Sequence, residues 1–218
     1  MQSYQSTQNP NQPVNNWQWP EYVVNQAPTI LQDEMFFVVS IQEQKLYVCQ
    51  NKVGQLQVLS SYVVSTAKAG VGNLNGSGQT PLGWHQVKLK IGQGCPENCV
   101  FIGRRPTGEV FSNALASKQP NRDWILTRIL WLSGLQKGFN RRQKKQGDCD
   151  TLRRFIYFHG TPDNPKEPLG QPYSHGCIRM KNKDLIQVFN AACNQAKVLI
   201  IEPEFCQLTT QIRLQGKK

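Results

Sequence analysis

From Met35 onward the apolar residues fall in short runs separated by turn formers: 36–40, 46–49, 56–65 and 84–91. In the last of these, Val87, Leu89 and Ile91 alternate with Gln86, Lys88 and Lys90, the two-residue period of a strand with one buried face. Residues 123–132 read equally well as helix or strand. The aromatic and β-branched run 155–159 ends at Gly160 and reads as a strand that delivers His159 to a loop. Asn182 is placed to cap a helix in which Leu185, Val188, Phe189 and Ala192 share one face. Residues 198–201 form a last buried strand, stopped by Pro203. The stretch 70–83, with Gly70, Gly72, Gly76, Gly78 and Gly83, lacks both phosphate-loop spacing and a following Lys-Ser/Thr pair, so it reads as a turn-rich connection. The pattern predicts a mainly β protein with a few short helices.

The 218 residues suffice for one domain with a sizeable core. With 39% apolar and 18% charged residues, a wholly disordered chain or a coiled coil is a poor fit. The expected division is a polar N-terminal arm over 1–32, a folded domain over 33–203 and a tail over 204–218. Within the arm, Trp17 and Trp19 are candidates to anchor it in a groove. The densest apolar stretch, 35–39, is five residues long, against roughly 20 for a bilayer span, so no membrane span is expected. Segment 1–16 lacks a basic region followed by an apolar core. The expected location is therefore the cytoplasm, or the periplasm for a chain trimmed of its leader. Seven cysteines, an odd number, leave at least one thiol unpaired and agree with a reducing compartment.

The formal charge of +11 arises from 25 Lys and Arg against 14 Asp and Glu. Lys137, Arg141, Arg142, Lys144 and Lys145 crowd together, with Arg153 and Arg154 close behind. With Phe139 as the one aromatic between Lys137 and Lys145, this run reads as a solvated loop rather than a nucleic-acid surface. Its alternative role, bordering the active site and binding an acidic ligand, is a hypothesis.

The chemistry concentrates in Tyr157-Phe158-His159-Gly160-Thr161 and, after a Pro-containing loop, Tyr173-Ser174-His175-Gly176-Cys177-Ile178-Arg179-Met180. A thiol is a strong nucleophile only as its thiolate, so a reactive cysteine needs an imidazole or another positive group beside it. Two of the three histidines bracket this loop. Gly176 permits a tight backbone before Cys177, and consecutive N–H groups there can point at a developing oxyanion. A lone cysteine in an apolar setting, such as Cys193, is by contrast ordinarily structural.

These residues resemble the L,D-transpeptidases with a YkuD-type catalytic domain. Their fingerprint is a His, a loop of mid-teens length, then Ser/Thr-His-Gly-Cys; here fourteen residues separate His159 from Ser174. Thr80-Pro81-Leu82-Gly83-Trp84 resembles the family's Thr-Pro-x-Gly-aromatic turn, and Val64-Ser65-Thr66-Ala67-Lys68 the strand end before it. The likeness covers about residues 35–202. Met180 stands where the founding pattern has Asn. The resemblance implies a YkuD-like β-sandwich, with Cys177 as nucleophile, His159 as general base and His175 shaping the pocket. It also implies an oxyanion hole from the amides of Gly176 and Cys177. Arg179 would hold a substrate carboxylate or brace the loop, and Ser174, Gly160 and Tyr173 would line the substrate site. The family's substrate is the peptidoglycan stem tetrapeptide, cut before its terminal D-Ala through a thioester. Hydrolysis would make the protein an L,D-carboxypeptidase of soluble, recycled muropeptides, and an amine acceptor would make it a cross-linking transpeptidase. The absent leader favours the first. No cofactor or metal is implied.

Rival readings differ in class. A non-catalytic basic module would bind peptidoglycan fragments or nucleic acid. A papain-like peptidase would place its Cys well before its His, the reverse of the order here, and a thiol oxidoreductase would want Cys-x-x-Cys. Cys95-Pro-Glu-Asn-Cys99 lacks a second half for a metal site and reads as two incidental loop thiols or a local disulfide. His85 reads as a surface or core residue.

Overall fold

The structure is a computed structural model that describes residues 28–53, 55–142, 148–164 and 166–202. Trp17, Trp19, most of the 1–32 arm and the 204–218 tail lie outside the described residues, as do Lys144 and Lys145. Among the described residues ten strands and two helices follow in chain order: β1 (Met35–Ser40), β2 (Lys45–Lys52), β3 (Gln55–Ser65), β4 (Gly83–Ile91), β5 (Cys99–Ile102), β6 (Arg105–Val110), α1 (Asn113–Lys118), β7 (Ile125–Gly134), β8 (Tyr157–Gly160), β9 (Ile178–Met180), α2 (Asn182–Ala191) and β10 (Lys197–Ile201). The strands hydrogen-bond in the order β4-β10-β1-β2-β3-β9-β8-β7-β5-β6. A further β4–β7 pairing joins eight of them into a ring, with the β5–β6 hairpin hanging from β7. The result is a barrel-like β-sandwich.

The runs 36–40 and 198–201 are strands buried on both faces, whereas the run 56–65 forms β3 with Val58, Leu59 and Val63 exposed. In β1, Phe37 and Val39 enter the main core while Phe36 and Val38 enter a second cluster with Trp84, Leu199 and Ile201. A strand with two covered faces has no solvent side to mark with polar residues. Strand β10 lies between β1 and β4, parallel to β1 with Phe36 opposite Lys197, and antiparallel to β4. Ile30, in the described end of the arm, is fully buried in the second cluster. Its carbonyl accepts from Asn51 Nδ2 at 3.0 Å.

The predicted alternation of β4 breaks at a bulge. Val87 opposes Leu132 and Leu89 opposes Trp131, leaving Lys88 as the extra residue. A slip of one residue exchanges the faces of everything beyond it. Leu89 is accordingly 46% exposed, while the Lys90 ammonium lies 4.6 Å from the Phe189 ring centroid. The ambiguous segment 123–132 resolves as strand because β7 has partners along both edges, with β4 and β5 on one side and β8 on the other. Helix α2 buries Leu185, Val188 and Phe189 as its spacing predicts. Its N-cap is Lys181, not Asn182, and no side chain caps it. The Asn182 side chain instead accepts from Thr127 Oγ1 at 2.6 Å and donates to Asn98 Oδ1 at 2.8 Å. Helix α1, which no periodicity announced, is capped by the Ser112 hydroxyl accepting from the Leu115 amide.

Phe158 on β8 is 1% exposed in the main core, with Leu130, Ile178 and Met180. Phe158→Ala deletes a buried ring beneath the site strand and is expected to cost about 3–5 kcal/mol. Urea denaturation measures this, and a loss under about 1 kcal/mol would contradict the packing described.

Candidate active site

Strands β8 and β9 are parallel, with Phe158 opposite Ile178, His159 opposite Arg179 and Gly160 opposite Met180. Side chains of paired residues leave the sheet on the same side and alternate along each strand. Phe158, Ile178 and Met180 therefore enter the core. Tyr157, His159, Cys177 and Arg179 share the opposite face. The period-2 pattern of two short strands places the histidine and the cysteine as diagonal neighbours.

The turn before Cys177 is fixed by the motif itself. Ser174 Oγ donates to the Cys177 carbonyl at 2.5 Å and accepts from the Gly176 amide at 3.2 Å. Thr80 of the Thr-Pro turn accepts from the Ala67 amide and donates to the Gly176 carbonyl, both at 3.0 Å. Gly176 has φ +127°, and a β-carbon there would lie 3.0 Å from Ile156 Cδ1 and 3.3 Å from the Gln79 carbonyl. Both the backbone region and the space thus require glycine. One expectation is corrected here. Because the Gly176 amide is engaged by Ser174, it does not point outward as an oxyanion donor; of the two predicted amides, that of Cys177 remains.

His159 is buried, and its Nδ1 lies 2.9 Å from the Gly160 carbonyl. A carbonyl only accepts, so Nδ1 carries the proton and Nε2 of the neutral ring is a bare acceptor. Burial pushes this imidazole down to about 4, against the opposing pull of the Gly160 carbonyl and Asp123. The Tyr157 ring meets the imidazole edge-on, with centroids 5.6 Å apart. Cys177 is half-buried, and its sulfur packs against an apolar cluster of Cys99, Phe101, Ile129 and Tyr157. Its thiol donates to the Phe155 carbonyl at 3.4 Å. Burial pushes that thiol up to about 12, countered by the Tyr157 backbone N–H and by Arg179 and Arg154. The resting site thus holds a neutral thiol and a neutral imidazole.

The remaining candidates divide between frame and cleft. Ser174 is 2% exposed and spent on the turn. Gly160 is buried, and a β-carbon on it would collide with Asn182 Oδ1. Neither lines the cleft as expected of a substrate-binding residue. Tyr173 is half-buried, and its hydroxyl donates to Gln171 Oε1 at 3.3 Å. Arg179 pairs with Glu167 at 2.7 Å and with Asp123 at 3.5 Å, so its guanidinium braces two loops rather than standing open for a ligand. His175 is exposed. With Arg179, Asp123, Trp124, Asp163 and Glu167 it lines an open cleft of about 390 Å³. The cleft walls carry both signs of charge beside an aromatic face, with Phe111 edge-on to Trp124 at 5.0 Å.

Sequence reasoning missed Tyr157, Asp123 and Glu167. Tyr157 was readable as the residue two before His159 on the same strand face, whereas the two carboxylates sit on loops whose approach to Arg179 only the fold shows. His85 proves to be a core residue, fully buried, bonded to the Gly83 carbonyl and Thr151 and held down to about 3 by burial. Cys95 and Cys99 are free thiols, and Cys95 packs against the cluster containing Cys99. Among the described residues no group of three His, Cys, Asp or Glu could hold a metal.

The family model of the YkuD L,D-transpeptidase catalytic domain matches residues 34–200. This chain belongs to that family. No curated protein matches it. Among solved structures it is similar to L,D-transpeptidase 3 from Mycobacterium tuberculosis, at 17% identity and TM-score 0.43, covering 77% of this chain and 61% of that one. It is similar also to Bd1075 from Bdellovibrio bacteriovorus, at 15% identity and TM-score 0.47, covering 78% and 48%. A third is the L,D-transpeptidase from Xylanimonas cellulosilytica, at 14% identity and TM-score 0.42, covering 78% and 61%. The chain spans 48–61% of the length of these proteins. YkuD-type L,D-transpeptidases act on peptidoglycan stem peptides. Among the described residues of this member, no helix is long and apolar enough to cross a membrane.

Neutral buried histidines give this domain an acid limb. His159 and His85, at about 4 and about 3 when folded, return to their ordinary value of 6.5 on unfolding. The unfolded chain therefore binds more protons below about pH 6.5, and stability falls as pH drops from there toward 3. The Cys177 thiol has the opposite sign and costs stability above about pH 9, its ordinary value. Urea midpoints between pH 4 and 8 should decline on the acid side, less steeply in His85→Gln; a flat profile would contradict the burial.

Proposed function

We propose that this domain is a cysteine acyl-enzyme that cuts stem tetrapeptides before their terminal D-Ala. The observation that carries the reading is the pinned His159 ring, whose bare Nε2 shares a sheet face with Cys177. In the first step the thiol leaves the Phe155 carbonyl and passes its proton to Nε2. The sulfur then bonds to the carbonyl carbon of the third residue, and the Cys177 amide faces the resulting oxyanion. The imidazolium next returns its proton to the departing D-Ala nitrogen as the C–N bond breaks, leaving a thioester on Cys177. His159 alone serves as base and then as acid in this step.

Water is the proposed acceptor in the second step, with His159 again taking the proton. The product is a tripeptide, and the activity is that of an L,D-carboxypeptidase on soluble muropeptides. Support comes from the odd number of cysteines and from the free thiols of Cys49, Cys95, Cys99, Cys149, Cys177 and Cys193, which suit the reducing cytoplasm that is the proposed location. The mixed charge of the cleft suits a small zwitterionic peptide. His175 and Arg179, on either side of Cys177 in the chain, line it, whereas Cys177 and His159 do not, so the peptide would have to extend from the cleft to reach the sulfur.

Purified tetrapeptide, free and as a disaccharide muropeptide, should yield D-Ala and tripeptide by mass spectrometry. Cys177→Ala should abolish the release, and His159→Gln should lower kcat at least about a hundredfold. A carbapenem should add covalently to the wild type and not to Cys177→Ala. Cross-linked dimer as the main product would replace hydrolysis by transpeptidation. Ligand binding that survives alkylation of Cys177, without any turnover, would leave only a binding module.

A further inference from the structure

Arg154 ends the basic segment that reads in sequence as a solvated loop, yet the fold sets it apart from its neighbours. Arg153 is largely exposed beside Asp148. Arg154 turns inward instead. One of its terminal nitrogens donates to the Gly72 carbonyl at 2.9 Å, and the other to the Gln79 carbonyl at 2.5 Å and to Ser77 Oγ at 3.3 Å. All three acceptors are neutral and belong to the Gly-rich connection that no phosphate site explained. Gln79 is also the residue whose carbonyl backs the Gly176 turn at 3.3 Å from the absent β-carbon. Thr80, next in the chain, bonds the Gly176 carbonyl. On the other side, Arg154 is followed directly by Phe155, whose carbonyl holds the resting Cys177 thiol. Phe155 has φ +57°, a left-handed backbone that a non-glycine residue keeps only where its surroundings enforce it.

We propose that Arg154 is a positioning residue that clamps the Gly-rich connection against the catalytic turn and supplies the uncompensated cation for the Cys177 thiolate. Its three bonds go to neutral groups, so its charge is not spent on a protein carboxylate. Arg179, the other cation near the sulfur, is paired with Glu167 and Asp123. The groups around the sulfur are Tyr157 and His159 from β8, Arg179 from β9, Asp123 from the cleft loop, Cys99 from β5 with Cys95 before it, and Arg154. Asp123 opposes the thiolate, whereas Arg179 and, after it, Arg154 attract it. A guanidinium fits the task because its fork reaches several carbonyls at once and keeps its charge.

The inference rests on Cys177 as the reacting group, and its test reads the thiol without needing turnover. The rate of iodoacetamide addition to Cys177, followed by intact mass and peptide mapping, is measured against pH for wild type, Arg154→Gln and Arg154→Lys. In Arg154→Gln the rate on the rising limb, between about pH 7 and 9, should fall about tenfold. Arg154→Lys keeps the charge and loses the fork, so its rate should fall by less than about threefold while kcat falls and KM holds. Superimposable rates for folded Gln and wild-type proteins would overturn the proposal, as would equal losses in the Lys and Gln variants. Should Arg154→Gln not fold, Arg154→Lys decides: a lowered kcat with a near wild-type alkylation rate supports the clamp, and an unchanged kcat overturns it. A lowered alkylation rate in a protein that releases no D-Ala would uphold Arg154 and sink the substrate reading instead.

Discussion

The site depends on one pairing, the three-residue parallel ladder between β8 and β9. It is short, and parallel neighbours give no local turn to hold them in register. What fixes the register is burial on the far side, where Phe158, Ile178 and Met180 fill the core beneath α2. A slip of one residue in either strand would drive its own His159 or Arg179 into that core and turn that strand's apolar side chains out to solvent. Hydrophobic packing on one face thereby sets the geometry of polar chemistry on the other.

The resting state that results is uncharged at its centre. Burial disfavours both the imidazolium and the thiolate, so the proton stays on sulfur, and the sulfur rests on a backbone carbonyl. An ion pair at this spot would have to overcome desolvation on both partners. The charges that could help it stand just outside, with Arg179 shared between two carboxylates and Arg154 held by neutral carbonyls. Such a site keeps its thiol protonated until a ligand changes the surroundings, which also shields it from adventitious oxidation.

Much of this was legible in the sequence, and the failures have physical causes. Strands buried on both faces announced themselves as unbroken apolar runs. The His159 strand, the Ser-His-Gly-Cys turn and the α2 face were readable from spacing alone. The alternation of β4 misled because a bulge at Lys88 is invisible to a fixed period. Asn182 looked like a cap since the helix starts there, but buried Thr127 and half-buried Asn98 compete for its amide. For Arg179 the sequence left open whether it holds a substrate carboxylate or braces the loop, because its counter-charges lie 12 and 56 residues away in the chain. Arg154 looked like surface because the carbonyls it serves belong to a loop about 75–82 residues earlier. In each case the deciding partner was distant along the chain, where propensity and pattern carry no information.

The placement of β10 between β1 and β4 bears on how the chain acquires its shape during synthesis. Two strands translated early must wait with bare edges until one translated late slides between them, whereas the halves of the site, on β8 and β9, are made almost together. The ring therefore stays open after the loop bearing Cys177 already exists, and the unfinished molecule carries two unsatisfied sheet edges. Joining those distant segments by a short peptide and cutting the chain elsewhere would shorten that wait, since contacts of low sequence separation form fastest.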